Sequence, residues 1–308
     1  MPNRDIIESV YPLSYMQEGM LFHELHAPGS GINTEQVVCG LNEELDVNAL
    51  QRAWQRIVER HAIFRTSFHW VGYSKPVQKV HQHAEIPWEL KDWGGLSDEE
   101  QGNQFRNFLE LDCKLGFNIS QTPASRWTLF RFRDKDYRLV WSFDHLLSDA
   151  RSFTFVLTEV FTLYEAFKLG QDIESDPPRP YEDYVHWLKG RDLKSDEAFW
   201  RKQLKGFTAA TPICPHRCDM GLKSDELVCG RVEARVSSKV TQRLKQLVAQ
   251  NDFTLNTVVQ GAWVLLLSRY SREEDVVFGV VRACRRSPFE GVETIVGLLI
   301  NTSSPSAG

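Results

Sequence analysis

Between Tyr137 and Lys168 the spacing of apolar residues changes from one period to another, and this change constrains the fold more than any other feature of the chain. Tyr137, Leu139, Trp141 and Phe143 alternate with Arg138, Val140 and Ser142, the two-residue repeat of a strand. From Arg151 to Lys168 the repeat becomes helical, with Phe153, Leu157, Val160, Tyr164 and Phe167 forming one stripe. A strand that hands over to an amphipathic helix across a short loop points to helices packed on a sheet, an α/β fold.

The rest of the chain repeats that mixture. Leu13 to His26 reads as a helix with Tyr15, Met16, Met20 and Leu21 near one face. Asp46 is a good N-cap for a helix carrying Val47, Leu50, Trp54, Ile57 and Val58, and Phe64 to Trp70 reads as a strand. Ser175-Asp-Pro-Pro-Arg-Pro180 is the best linker, because prolines remove donors and bar helix continuation. Beyond it the sequence predicts a helix around Glu197 to Leu204, a polar loop from Thr208 to Asp225 and a strand from Cys229 to Val236. A helix starting near Ser238 follows, then a mostly buried helix capped by Thr254 and running through Tyr270. Val276 to Val281 is an apolar run of the parallel-sheet kind. At 308 residues the chain is long for one core, so two lobes are expected, 1–175 and 176–308.

Composition excludes several functions. Apolar residues at 42% and charged residues at 25% are globular values, and nine Trp with eighteen Phe predict an aromatic core. A formal charge of −5 and the lack of a basic stripe argue against nucleic acid as a partner. The N-terminus has no apolar signal region, and the longest apolar stretch, Val258 to Leu267, is interrupted by Gln260 and Gly261. No membrane association is expected. Cys39, Cys113, Cys214, Cys218, Cys229 and Cys284 lack the regular spacing of a disulfide scaffold, which suggests a reduced, cytoplasmic protein. Cys214-Pro-His-Arg-Cys218 supplies three possible zinc ligands where four are normal, so no metal site is expected. His23, His26, His61 and His186 read as structural, and neither a phosphate-binding glycine loop nor a Gly-x-Ser-x-Gly elbow is present.

Chemistry concentrates in Trp141-Ser-Phe-Asp-His-Leu-Leu-Ser-Asp-Ala-Arg-Ser152. Asp144, His145 and Asp149 crowd a loop between strand and helix, where a rigid scaffold commonly presents functional groups. Two acids beside one imidazole can orient the ring and favour its charged form. The residues alone leave open whether His145 is a general base or part of a structural pair.

The segment resembles the His-His-x-x-x-Asp-Gly signature of condensation domains of non-ribosomal peptide synthetases, which share the chloramphenicol-acetyltransferase fold. Four more stretches resemble motifs of that family in the same order. They are Leu13-Ser-Tyr-Met-Gln-Glu-Gly-Met20, Arg60-His-Ala-Ile-Phe-Arg-Thr-Ser-Phe68, Tyr181-Glu-Asp-Tyr-Val-His-Trp187 and Val296-Gly-Leu-Leu-Ile-Asn-Thr302. The resemblance implies a two-lobed sandwich in which His145, as the second histidine, lies in a tunnel between lobes. There it would take a proton from the attacking amine or position it. It implies that Asp149 is structural and that Arg285, within Phe278-Gly-Val-Val-Arg-Ala-Cys-Arg285, is its ion-pair partner, tying the lobes together. Arg60, Arg65 and Asn301 would support the fold.

Three departures bear on activity. Asp144 stands where the family has its first histidine, and its charge would favour the protonated imidazole and weaken the base. Ala150 replaces the motif's glycine, at a cost of about 1 kcal/mol if the position needs positive φ. The sequence stops at Gly308, soon after the Asn-Thr motif, so the second lobe is expected to be incomplete and part of its sheet to lack a neighbour.

The implied reaction is amide formation between an acyl donor and an aminoacyl acceptor held on the phosphopantetheine arms of peptidyl or acyl carrier proteins, with no cofactor bound directly. Phe278 to Arg286, with Trp141-Ser-Phe143, resembles the branch of the family that follows polyketide-type modules and hints at a polyketide-like or fatty acyl donor. A catalytically degenerate carrier-docking module and a free-standing coenzyme A-dependent acyltransferase of the same fold are the alternatives.

Overall fold

The computed structural model describes residues 6–27, 29–173, 175–208, 211, 232–303 and 306–307. The chain divides into two compact units, Met1–Arg191 with Arg282–Asn301, and Asp192–Val281 with Thr302–Gly308.

The first unit runs β1 (Ile7–Pro12), α1 (Tyr15–His26), β2 (Thr34–Leu41), α2 (Val47–Arg60), a 3₁₀ turn (Ala62–Arg65), β3 (Thr66–His69), β4 (Val77–His81) and β5 (Trp88–Asp92). It continues with α3 (Asp98–Leu115), β6 (Ser125–Arg133), β7 (Asp136–Asp144), α4 (Ala150–Lys168) and α5 (Tyr181–Lys189). Its main sheet has the order β2-β7-β6-β5, with β5 parallel to β6 and the other pairs antiparallel. A smaller antiparallel sheet has the order β1-β4-β3.

The register of the main sheet sets Trp88, Trp127 and Trp141 side by side on three adjacent strands. Asp46 caps α2 by accepting from the Ala49 N–H at 2.9 Å. Leu50, Trp54, Ile57 and Val58, at helical spacing, are then fully buried. Trp54 lies on the tryptophan row, its ring 4.9 Å from that of Trp141 and 5.5 Å from that of Trp127. Val156, Val160 and Leu163 of α4 complete this layer.

The opposite sheet face is also covered. Phe130, Phe132 and Val140 pack with Phe105 of α3, and Arg138 lies over the rings of Phe105 and Phe132. Ser142 donates to Asp112 of α3 at 2.5 Å. The alternation read from sequence is therefore real, but its polar positions meet a helix and not water.

The expected break at 175/176 differs from the observed division. The backbone carbonyls of Ser175 and Asp176 accept from Arg60, and α5 buries Tyr181, Tyr184 and Val185 in the first unit. Chain from 282 to 301 returns to the same unit and buries Val292, Ile295, Val296, Leu298 and Leu299. Gly297 lies so close to the Tyr181 ring that an added Cβ would stand 2.2 Å from it, so glycine is required there.

The second unit contains α6 (Leu193–Gln203), α7 (Ser238–Gln250), α8 (Leu255–Ser271) and β8 (Val276–Val277). Next come β9 (Val280–Arg282) and β10 (Asn301–Ser303), which straddle the division, and then β11 (Ser306–Ala307). Three expectations change here. Helix α8 buries only Leu267 and Ser271, and Val259, Trp263, Leu265, Leu266 and Tyr270 are exposed. The Val276–Val281 run splits into two short strands, and β8 pairs antiparallel with β11. Of the expected strand Cys229–Val236, residues 232–236 form none, and its start lies outside the described residues, as does Cys214-Pro-His-Arg-Cys218. In the first unit the expected Phe64–Trp70 strand begins with the 3₁₀ turn and becomes strand at Thr66. Among the described residues no helix is long and apolar enough to cross a membrane.

Trp54 has an indole N–H with no hydrogen-bond partner among the described residues. Trp54→Ala is expected to cost about 3–5 kcal/mol in urea unfolding. Trp54→Phe keeps most of the volume and deletes a buried donor, so its cost should stay below about 1.5 kcal/mol.

Candidate active site

The loop that follows β7 is held by its own backbone before any side chain acts. The Asp144 N–H donates to the Ala124 carbonyl at 3.0 Å, and the His145 N–H to the Asn33 carbonyl at 2.7 Å. The chain then turns: Leu147 N–H donates to the Asp144 carbonyl, and Leu146 N–H to its carboxylate Oδ1 at 2.9 Å. Leu146 and Leu147 are fully buried and anchor the turn in the core. Gln17 of α1 braces it from below, its Nε2 donating to the Leu146 carbonyl at 3.0 Å. Gln17 also closes a capping box with Ser14. Sequence reading did not single out Gln17, although the Ser-x-x-Gln spacing at 14–17 was a visible signal.

Successive side chains diverge at this point. Asp144 points into the fold and is almost fully buried. Burial pushes its carboxyl up to about 7; the Leu146 N–H opposes that shift and the nearby Glu24 charge adds to it. Burial also raises Glu24, whose carboxylate accepts from the Asn33 amide. Near neutral pH Asp144 therefore binds a proton more readily than an ordinary carboxylate. The full negative charge expected beside His145 is therefore reduced, and it sits on the interior side of the strand.

His145 turns the other way, with 24% of its side chain exposed. Its Nδ1 lies 2.8 Å from the Ser148 carbonyl. A carbonyl can only accept, so Nδ1 carries the hydrogen and the neutral ring has its lone pair on Nε2. Nε2 stands 3.9 Å from Oε1 of Glu35.

Asp149 ends the loop. Its Oδ1 accepts from the N–H groups of Arg151 and Ser152, capping α4, and its Oδ2 accepts from the Leu299 N–H at 2.9 Å. Arg285 completes the cluster. Its guanidinium reaches Asp149 at 3.1 Å, Ser152 Oγ at 2.6 Å, and the carbonyls of Val292 and Ile295. The ion pair of Asp149 with Arg285 is present, and both members lie in the first compact unit. Ala150 is the first residue of α4 and is not among the residues with positive φ, so the strain expected from replacing glycine does not arise.

The structure brings His145, Asp144, Asp149, Ala150 and Arg285 together and leaves the other three candidates elsewhere. Arg60 pairs with Glu159, and His61 shares that carboxylate at 2.7 Å. Arg65 is buried against Glu8 and the carbonyls of Val58, His81 and Gln82. Asn301 is exposed at the start of β10, beside a small recess lined by Ser14, Tyr15 and Tyr184. Among the described residues no group of three His, Cys, Asp or Glu side chains could hold a metal ion.

Two measurements test this arrangement. Asp144 has a folded pKa above its unfolded value, so its contribution to stability is complete below about pH 4 and is lost as pH rises through 7. From pH 5 to pH 8 the stability gap between wild type and Asp144→Asn should shift in the variant's favour by about 3 kcal/mol in urea melts. Arg285→Ala strands a buried carboxylate and should cost about 3–5 kcal/mol, with Arg285→Lys recovering part of the loss.

Known proteins are similar to this chain in sequence and in fold. The family model for the condensation domain matches residues 7–304. A linear gramicidin synthase of Brevibacillus parabrevis is 40% identical over 296 residues, 96% of this chain and 4% of that protein. Bacitracin synthase 1 of Bacillus licheniformis is 33% identical over 297 residues, 96% of this chain and 6% of that protein. The chain thus spans only a small fraction of these relatives. Among solved structures, the condensation domain from Monacolin K polyketide synthase MokA superposes with a TM-score of 0.79 at 18% identity, covering 98% of this chain and 68% of that one. The first condensation domain of the CDA synthetase gives 0.76 at 14% identity, covering 99% and 70%. With a family model spanning nearly its whole length, this chain belongs to the condensation-domain family of the non-ribosomal peptide synthetases.

Proposed function

We propose that this chain forms an amide bond between an acyl donor and an aminoacyl acceptor, each held as a thioester on the phosphopantetheine arm of a carrier protein, with His145 moving the proton. The observation that carries this reading is the anchoring of His145 Nδ1 on the Ser148 carbonyl, which leaves the Nε2 lone pair accessible at a fixed place.

The acceptor nitrogen attacks the donor carbonyl carbon, the C–N bond forms, and the carbonyl oxygen takes the negative charge. His145 Nε2 receives a proton from the nitrogen and returns it to the sulfur as the C–S bond breaks, so the products are an amide and a free thiol. Holding two tethered reactants in register supplies much of the acceleration, and no covalent enzyme intermediate is required. The reading as a docking module that has lost its chemistry rested partly on Asp144 and Ala150. Asp144 is turned inward and Ala150 is unstrained, so neither position obstructs the imidazole.

With loaded donor and acceptor carriers, wild type should yield amide, and His145→Ala should reduce the rate by about 10²–10⁴-fold while leaving carrier binding unchanged. Equal rates for the two proteins would remove His145 from the chemistry. Carrier binding without any wild-type product would favour the docking reading, and turnover with acyl-coenzyme A alone would favour the free-standing acyltransferase.

A further inference from the structure

We propose that Glu35 is the acceptor-positioning residue of this site: its carboxylate binds the ammonium form of the acceptor's amine beside Nε2 of His145. The inference rests on the condensation reading above and adds a binding role to a residue outside the motif loop.

Four observations converge on it. The β2–β7 register pairs Thr34 with Asp144 and Glu35 with Phe143, and the ladder extends through the bond from His145 N–H to the Asn33 carbonyl. Glu35 and His145 are therefore diagonal neighbours across two paired strands, a spacing at which long side chains meet. Oε1 of Glu35 stands 3.9 Å from Nε2, on the side of the ring that carries the lone pair. The Glu35 side chain is 47% exposed, and among the described residues its carboxylate makes no hydrogen bond and no ion pair except with His145. The other carboxylates near the loop are occupied: Asp144 by the Leu146 N–H, Asp149 by Arg285 and three backbone N–H groups, and Glu24 by Asn33.

The separation suits a shared guest better than a direct bond. At 3.9 Å the two atoms are too far apart for a strong hydrogen bond. A nitrogen about 2.9 Å from both would subtend an angle of roughly 85°, and a small rotation of the Glu35 side chain opens this toward the tetrahedral value. An α-amine titrates near 8, so at pH 7 most acceptors arrive as the cation. The cation has donors for both partners. It loses one proton to solvent before it attacks, and the nitrogen becomes positive again in the tetrahedral intermediate, where a carboxylate within about 4 Å stabilises it. Cationic amine is thus the chemical class that this pair of groups selects.

The test compares two acceptors on wild type and Glu35→Gln, which preserves shape and removes charge. One carrier bears an aminoacyl group, the other an aminooxyacyl group whose nucleophilic nitrogen is uncharged at pH 7. For the aminoacyl carrier, Glu35→Gln should raise the acceptor KM about tenfold while kcat changes less than about threefold and the donor KM stays put. For the aminooxy carrier, the KM should differ by less than about twofold between the two proteins. An unchanged aminoacyl KM overturns the proposal, and so does an equal rise for both carriers, which would mark a merely structural role. If wild type makes no amide with the aminoacyl carrier, the condensation reading falls and this one with it.

Discussion

The carboxylate of Asp149 organises the first unit more than any other single group. It caps α4 through the N–H groups of Arg151 and Ser152, holds Leu299 by its N–H, and pairs with Arg285. Burying an unpaired carboxylate is prohibitive, so each of these partners is a condition for the others. The two terminal nitrogens of Arg285 also donate to Ser152 Oγ and to the carbonyls of Val292 and Ile295. Ser152 in turn donates to the Gly297 carbonyl and accepts from the Gly297 N–H. A segment more than a hundred residues downstream is thereby fixed against the first turn of a helix by charge-assisted bonds. The apolar side chains of that segment, among them Val296, Leu298 and Leu299, then bury themselves in the same core.

This arrangement separates the scaffold of the loop from its chemistry. Asp144 and Asp149 bracket His145 in sequence, and both acids face inward to satisfy backbone groups. His145 is the loop residue left with an accessible ring. Its orientation depends on one backbone carbonyl, that of Ser148, which lies next to the Asp149 cap. The tautomer of the imidazole is consequently set by the same local geometry that starts α4. Holding the ring in advance in this way is consistent with the proton transfer proposed for His145.

The fold was legible in sequence wherever a local period or cap decided it. The two-residue repeat of β7, the stripe of α4, and the caps Asp46 and Thr254 all appear at the expected positions. What escaped was decided by contacts distant along the chain. The prolines at 177, 178 and 180 do interrupt helix, but packing of Tyr181 on Gly297 retains α5 in the first unit, and no local pattern announces that pairing. The ion pair of Asp149 with Arg285 was expected from the motifs, while its confinement to one unit could not be read from them. Glu35 gave no local signal at all. It gains its meaning from the register of β2 on β7, a relation between strands about a hundred residues apart.

Position 144 shows how a motif can change without the site collapsing. The side chain there points away from Nε2, so what the position must supply is an acceptor for the Leu146 N–H at the start of the turn. A carboxylate does this in either protonation state, since a protonated carboxyl keeps an oxygen that can accept. Ionisation strengthens the bond to Leu146 and simultaneously incurs the desolvation that moves the group to about 7. The two effects oppose each other on one atom, so the turn closes on both sides of neutrality while its stability varies. The raised pKa of Asp144 thus gives the turn its own pH response, while the ring of His145 is held separately by the Ser148 carbonyl.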